Sequence, residues 1–160
     1  VGKDMKKLKL YLDTSVINFA VSDDPARKEE KEQTVGLIER INSGEIEGYI
    51  STLVEAEIQK ADDAKRKILI DFIKRINLSG VIEITDDVRI LARKYVAEGI
   101  IPEKHYNDAE HIAAAVIFEM DVIVSWNFEH MVKLKTKRGI VGVNSIVGYR
   151  AIEIITPEEV

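Results

Sequence analysis

Leu8-Lys9-Leu10-Tyr11-Leu12-Asp13-Thr14-Ser15-Val16-Ile17-Asn18-Phe19-Ala20 is the stretch whose reading decides the fold. Residues 8–12 alternate into an apolar strand. Asp13 ends it, and Asp13-Thr14-Ser15 supplies polar starters for a short helix over residues 16–20. A strand that feeds straight into a helix is the pattern to look for in the rest of the chain.

It recurs. Asp23-Asp24-Pro25 opens a second helix reaching about Asn42, first a charge run over 27–32, then amphipathic through Val35, Leu37, Ile38 and Ile41. Ser43-Gly44 stops it. Residues 48–51 form a second strand, and a long helix over 53–77 follows, with a break near Asp62-Asp63. Residues 81–84 are a third strand, and 87–98 a helix stopped by Gly99. Residues 107–120 form a helix with an almost wholly apolar body, hence buried. Residues 122–125 are a fourth strand and 127–132 one or two helical turns. Residues 138–149 hold three glycines and resist assignment. Residues 152–155 form a last strand, ended by Pro157. Strands alternating with helices give an α/β domain with a mostly parallel sheet and helices on both faces.

Composition narrows the function classes. With 160 residues and 46% hydrophobic content, one domain over 1–160 and a real core are expected. There is no cysteine, which removes disulfides, thiolate metal sites and a cysteine nucleophile; three histidines make a histidine-built zinc centre a poor fit. The formal net charge of −5 disfavours a general nucleic-acid coat protein, but not an enzyme that handles a phosphodiester through metal ions. No apolar run is long enough to span a membrane. Residues 1–9 are charged and carry no secretion pattern, so a cytoplasmic location is expected.

Ligands of open parallel sheets bind outside the carboxyl ends of the strands. Those ends offer Asp13; Ser51, followed by a helix carrying Glu55 and Glu57; and Ser125-Trp126-Asn127. The apolar helix that returns to the fourth strand begins at the same edge with Asn107-Asp108. Carboxylates converging there need compensation by protons or cations, and all-oxygen ligands suit Mg²⁺ or Mn²⁺. Each acid also has a plain structural reading. Asp13 reads equally as a helix cap. Asn107 with Glu110, and Thr52 with Glu55, look like capping boxes. Two residues apart on a helix point about 200° from each other, so Glu55 and Glu57 cannot share a site. Glu55 is assigned to capping and Glu57 to chemistry. Asp121 precedes the fourth strand and is a turn residue at the opposite edge.

Leu12 to Ile17, Glu57-Ile58, Asn107 to Ala115, and Ile123-Val124-Ser125-Trp126-Asn127-Phe128, in this order, resemble the PIN-domain nucleases, and the likeness runs over nearly the whole chain. The tail, from Asn144 through Gly148-Tyr149 to Glu159, is similar to VapC-like prokaryotic single-domain members. The resemblance implies a three-layer α/β/α sandwich around a parallel sheet. It implies a Mg²⁺- or Mn²⁺-dependent endoribonuclease acting on RNA, and, for the VapC-like subgroup, a toxin that is commonly a homodimer and inhibited by a cognate antitoxin. The family's acidic positions fall on Asp13, Glu57 and Asp108, expected to hold the metal. Its fourth, often Asp, falls on Asn127, expected to orient a metal-bound water through its carbonyl oxygen. Thr14, Ser15 and Ser125 are candidates for hydroxyl contacts to the metal shell or phosphate, with helix capping as the alternative. Lys133 and Lys135, in the cationic run 133–138, are candidate phosphate contacts or a solvated turn. Trp126 stacks on a base or packs at the core edge; His111 and His130 read as packed histidines. A non-catalytic PIN-like binding module stays open because of Asn127. A phosphotransfer domain of the response-regulator type does not fit, since the first strand ends in a single acid and the fourth in Ser-Trp-Asn.

Overall fold

A computed structural model describes residues 6–160; the first part of the charged lead-in, residues 1–5, lies outside them. Five strands, β1 (Lys9–Leu12), β2 (Glu47–Ser51), β3 (Gly80–Ile82), β4 (Val122–Val124) and β5 (Glu153–Ile155), form one sheet in the order β3-β2-β1-β4-β5. Every pairing is parallel. The chain runs outward from β1 through β2 to β3, then crosses back to lay β4 on the other side of β1. That reversal leaves a crevice at the carboxyl ends of β1 and β4, where open α/β sheets place their ligands.

Among the described residues, seven α-helices cover the sheet: α1 (Thr14–Ala20), α2 (Lys28–Asn42), α3 (Thr52–Gln59), α4 (Asp63–Lys74), α5 (Asp86–Ala97), α6 (Tyr106–Ile117) and α7 (Leu134–Val147). The strand pleat divides them. Leu10, Leu12, Ile50, Val122 and Val124 point into a core shared with α1 to α4. Tyr11, Ile123 and Ile154 point into a second core with α5, α6 and α7. Alternate residues of one strand thus feed opposite layers, as a sheet buried on both faces requires.

Several boundaries differ from the sequence reading. The long helix over 53–77 is two helices, because Asp62 caps α4 by accepting from Lys65 N at 3.0 Å. Residues 127–132 are hydrogen-bonded turns rather than helix, closed by Met131 N and Val132 N on the Asn127 carbonyl. The unassigned stretch 138–149 is most of α7, and the cationic run opens that helix instead of forming a turn. Its stripe Thr136, Ile140, Val143 and Asn144 is buried at helical spacing. Two of its glycines have jobs. A Cβ on Gly139 would stand 2.7 Å from Ile100 Cγ1, so glycine lets the loop after α5 pack against α7. Gly148 ends the helix at φ 89°, a conformation glycine adopts without penalty. Asn144 then accepts from Tyr95 Oη at 2.5 Å and donates to the Arg150 carbonyl at 3.0 Å, pinning α7 to α5.

Candidate active site

Asp13 follows β1 and is the N-cap of α1, so its two readings are one fact: it caps the helix and lies in the crevice. Its side chain is 3% exposed. Oδ1 accepts from Ser15 Oγ at 2.5 Å and Val16 N at 3.3 Å, and Oδ2 accepts from Ser125 Oγ at 2.5 Å. Burial holds its carboxyl above the usual pKa despite the His111 charge and the hydroxyl and amide donors.

Glu57 comes from the second turn of α3. The N-cap there is Ser51, whose Oγ accepts from Val54 N at 3.4 Å, and not Thr52. The Thr52–Glu55 capping box is therefore absent; Thr52 Oγ1 instead accepts from Ile84 N. Glu55 is exposed and Glu57 turned inward all the same: the 200° spacing sets them on different faces, and the contacts of Glu57 with Thr14 and His111, not a cap, mark which face is the inner one. Glu57 Oε1 accepts from Thr14 Oγ1 at 2.5 Å and from His111 Nε2 at 2.7 Å. Burial pushes Glu57 up, but the His111 hydrogen bond and charge, with Thr14, outweigh it and the net shift is downward.

His111 joins the acids. It is buried on α6, one turn after Asp108, with Nδ1 2.6 Å from Tyr11 Oη, which is itself 2.7 Å from Ser51 Oγ. Burial lowers its pKa, but Glu57 and the charges of Asp13 and Asp108 raise it further, so the net shift is upward. Nε2 donates to Glu57, and Nδ1 pairs with the Tyr11 hydroxyl, as acceptor in the neutral ring and as donor in the imidazolium. His111 is thus packed, as expected, and it also pairs with Glu57 within electrostatic reach of Asp13 and Asp108. Its spacing from Asp108 was the available signal.

Asp108 is the third residue of α6, which starts at Tyr106 with no side-chain cap, so the Asn107–Glu110 capping box is absent too. Burial raises its pKa, against the pull of His111 and an Asn127 hydrogen bond. Asn127 Nδ2 donates to Asp108 Oδ2 at 3.1 Å, and Asn127 Oδ1 accepts from His130 N at 3.0 Å. The reverse amide orientation would set oxygen against carboxylate and NH₂ against N–H. The amide thus turns its donor toward the acids, and the carbonyl oxygen assigned above to a metal-bound water is committed to the backbone.

Thr14, Ser15 and Ser125 all bond the acids. Ser15 Oγ also accepts from Trp126 N at 2.9 Å, and Ser125 Oγ from Asn127 N at 2.9 Å. None of the three caps a helix; they fix carboxylate orientation. Trp126 packs in the core edge, donating from Nε1 to Thr34 Oγ1 at 2.8 Å and stacking on Phe19. Asp121 accepts from Lys9 N at the opposite edge, as its position dictates. Lys133 and Lys135 are exposed at the start of α7. A cavity of 230 Å³ lined by Thr14, Asn18, Glu57, Lys60 and Lys65 opens beside Glu57. A larger one of 490 Å³ shares Asn18 and Lys65 with it and extends toward Arg27 and Ile68.

The donor set suits a hard divalent cation: carboxylates, an amide and hydroxyls, with no sulfur. Among the described residues, however, no three His, Asp or Glu side chains are gathered as an ion-holding group. The hydrogen bonds explain this. Both Asp13 oxygens face hydroxyls, and Glu57 faces His111. The buried charge of Asp13 is the feature a cation would relieve.

No family model matches the sequence, and no curated protein matches it. Among solved structures, the chain is similar to a chain in the crystal structure of VapBC2 from Rickettsia felis bound to a DNA fragment from their promoter. The TM-score is 0.55 at 17% identity, over 76% of this chain and 90% of that one. The fold is PIN-like, an α/β sandwich on a parallel sheet shared with that chain, as the sequence led one to expect. No described helix is long and apolar enough to cross a membrane.

Proposed function

We propose that this chain is a divalent-metal-dependent endoribonuclease, the toxin of a toxin–antitoxin pair. One observation carries the reading: Asp13, Glu57 and Asp108, from three separate segments, are each linked electrostatically to one buried histidine in the crevice between β1 and β4. A structural role alone does not require three acids around one buried histidine. The fold it shares with a chain of VapBC2 supports the toxin assignment and a cognate antitoxin; a homodimer and a cytoplasmic location belong to the same proposal.

Asp13, Asp108 and Glu57 would hold Mg²⁺ or Mn²⁺ by carboxylate oxygens, directly or through water. Bound there, the metal supplies a water of lowered pKa and neutralises charge on the phosphate. Ser15 and Ser125 hold Asp13 in one rotamer, and Thr14 does the same for Glu57. Asn127 orients Asp108 without adding a fourth negative charge. His111 keeps Glu57 ionised and fixed. Lys133 and Lys135 offer contacts to substrate phosphates.

The test is incubation of the protein with structured and unstructured RNAs, with and without Mn²⁺, beside Asp13→Asn. Metal-dependent cleavage lost in the variant upholds the reading; cleavage that survives places the activity elsewhere. The second reading, a non-catalytic PIN-like binding module, draws on the internal commitment of the Asp13 and Glu57 oxygens. Tight Mn²⁺ binding that depends on Asp13 would overturn it.

A further inference from the structure

The most exposed aromatic ring among the described residues stands beside this crevice. Phe128 is 57% exposed, and it directly follows Asn127, whose amide holds Asp108. The turn that carries it is fixed at both ends. Asn127 Oδ1 accepts from His130 N, the Asn127 carbonyl accepts from Val132 N at 2.8 Å, and Met131 is fully buried. With its ends anchored, the turn holds Phe128 directly beside Asn127 and more than half in solvent.

The ring is also supported from behind. Trp126 lies 6.2 Å away at an interplanar angle of 57°, and is itself locked by Thr34 and stacked 5.4 Å from Phe19 at 18°. A tilted contact of this kind holds a phenyl by its side and leaves face area free. A platform already oriented loses little freedom when something stacks on it. Between Asn127 and Arg138 the chain carries Lys133, Lys135, Lys137 and Arg138 against Glu129 alone, on a protein whose net charge is −5. Lys133 and Lys135 form no ion pair among the described residues.

We infer that Phe128 is the stacking platform for a base of single-stranded RNA, with Lys133 and Lys135 tracking the adjoining phosphates. The inference rests on the ribonuclease reading and adds the residue that positions the strand. An exposed aromatic flanked by cations is the arrangement by which proteins hold single strands without reading sequence, since every base has a stacking face. It moves the stacking role from Trp126, which is buried, to its neighbour.

The experiment measures binding of a short, randomised-sequence, end-labelled single-stranded RNA by fluorescence anisotropy in EDTA. Wild type is compared with Phe128→Ala, Phe128→Leu, Phe128→Tyr and Lys133→Ala/Lys135→Ala. Emission of Trp126, the single tryptophan, gives a second readout next to the proposed contact. Phe128→Ala should weaken binding roughly 5- to 100-fold, with Phe128→Tyr near wild type and Phe128→Leu unable to rescue. The double lysine variant should flatten the log–log salt dependence by about 1.4, for two phosphate contacts on a single strand. Binding by Phe128→Ala within two-fold of wild type overturns the platform alone. An equal affinity of wild type for duplex RNA also overturns it. Absence of RNA binding by the wild type overturns it together with the nuclease reading. Wild type that binds through Phe128 but cleaves nothing with Mn²⁺ upholds the platform and removes only the catalysis.

Discussion

Asp13→Asn should make the metal-free protein more stable while abolishing activity. Asparagine keeps the shape of the side chain and caps a helix as well as aspartate does. Its Oδ1 retains the donors Ser15 Oγ and Val16 N. Its Nδ2 would face Ser125 Oγ, which already accepts from Asn127 N and whose proton is then free to turn to Met131 Sδ at 3.7 Å. All three charge-assisted hydrogen bonds, of about 1.5–3 kcal/mol each, become neutral ones of about 0.5–1.5 kcal/mol, a loss of about 3 kcal/mol in all. Against this stands the desolvation of a carboxylate that is 3% exposed, several kcal/mol per ion, offset in part by attraction to His111. The net gain should be about 1–2 kcal/mol. For a chain of this size that raises Tm by about 2–8 °C.

Two linked observations make the reasoning refutable. The folded pKa of Asp13 is raised from 3.8, so its proton favours the folded state. That contribution is fully present below 3.8 and lost as pH rises through the folded value. The advantage of the Asn variant should therefore be full above the folded pKa of Asp13 and shrink as pH falls through it toward 3.8. Added Mn²⁺ should stabilise the wild type, by about 2.7 kcal/mol at a hundred times Kd, and leave the variant unmoved, so the order of Tm inverts. Thermal unfolding followed by circular dichroism, in EDTA and in Mn²⁺ across pH, gives all three quantities. A variant less stable than wild type at pH 7 in EDTA, or a gap that ignores pH, would refute the claim that the buried charge is held at a cost. Asp13→Ala is the control: it removes the cap and leaves Ser15 and Ser125 without their acceptor, and should lose about 2–4 kcal/mol.

His111→Gln should destabilise by about 2–3 kcal/mol, since it leaves Glu57 and Tyr11 short of a buried partner. The Glu57 pKa is lowered, so its share is present above 4.5 and lost as pH falls through the folded value. The His111 pKa is raised, so its share is present below 6.5 and lost as pH rises through the folded value. Urea unfolding should show the largest gap from wild type between those limits, and a gap flat from pH 4 to pH 9 (about the range to scan) would contradict the pairing. The glycines of α7 should split. Gly139→Ala presses on Ile100 and should cost about 1–3 kcal/mol, whereas Gly142→Ala meets nothing within 4 Å and should gain about 0.5–1 kcal/mol; Tm values of the two variants check this.

Much of the fold was legible because its signals are local. Strand β1 is apolar and short, Asp13 ends it, and Gly44 and Gly99 mark stops where the backbone takes positive φ. Helix α7 was not legible, because its glycines depress helix propensity and the compensation, close packing on Ile100 and the Asn144 bonds to Tyr95 and Arg150, comes from elsewhere in the chain. The two capping boxes failed for a related reason. Ser51 captured the α3 cap one residue early, and α6 begins ahead of Asn107 through the single 3₁₀ turn Glu103–His105.

The sequence by itself determined most of the elements, the parallel α/β class and which segments bring acids to the carboxyl edge, since periodicity and spacing set which way a side chain leaves a strand or helix. Spacing put Glu57 and Glu55 on different faces and Asp108 and Asp121 at different edges; that Glu57 is the inward one was inferred from a capping box the structure does not contain. Only the tertiary structure decided what the acids meet. The crossover from β3 back to β4 brings Ser125 and Asn127 against Asp13 and Asp108, residues 112 and 19 positions apart. It also buries His111 among three carboxylates that lie 98, 54 and 3 positions from it in the chain. Charge, hydrogen bonding and desolvation act through space, and the distances that set them exist only once the sheet has ordered its strands.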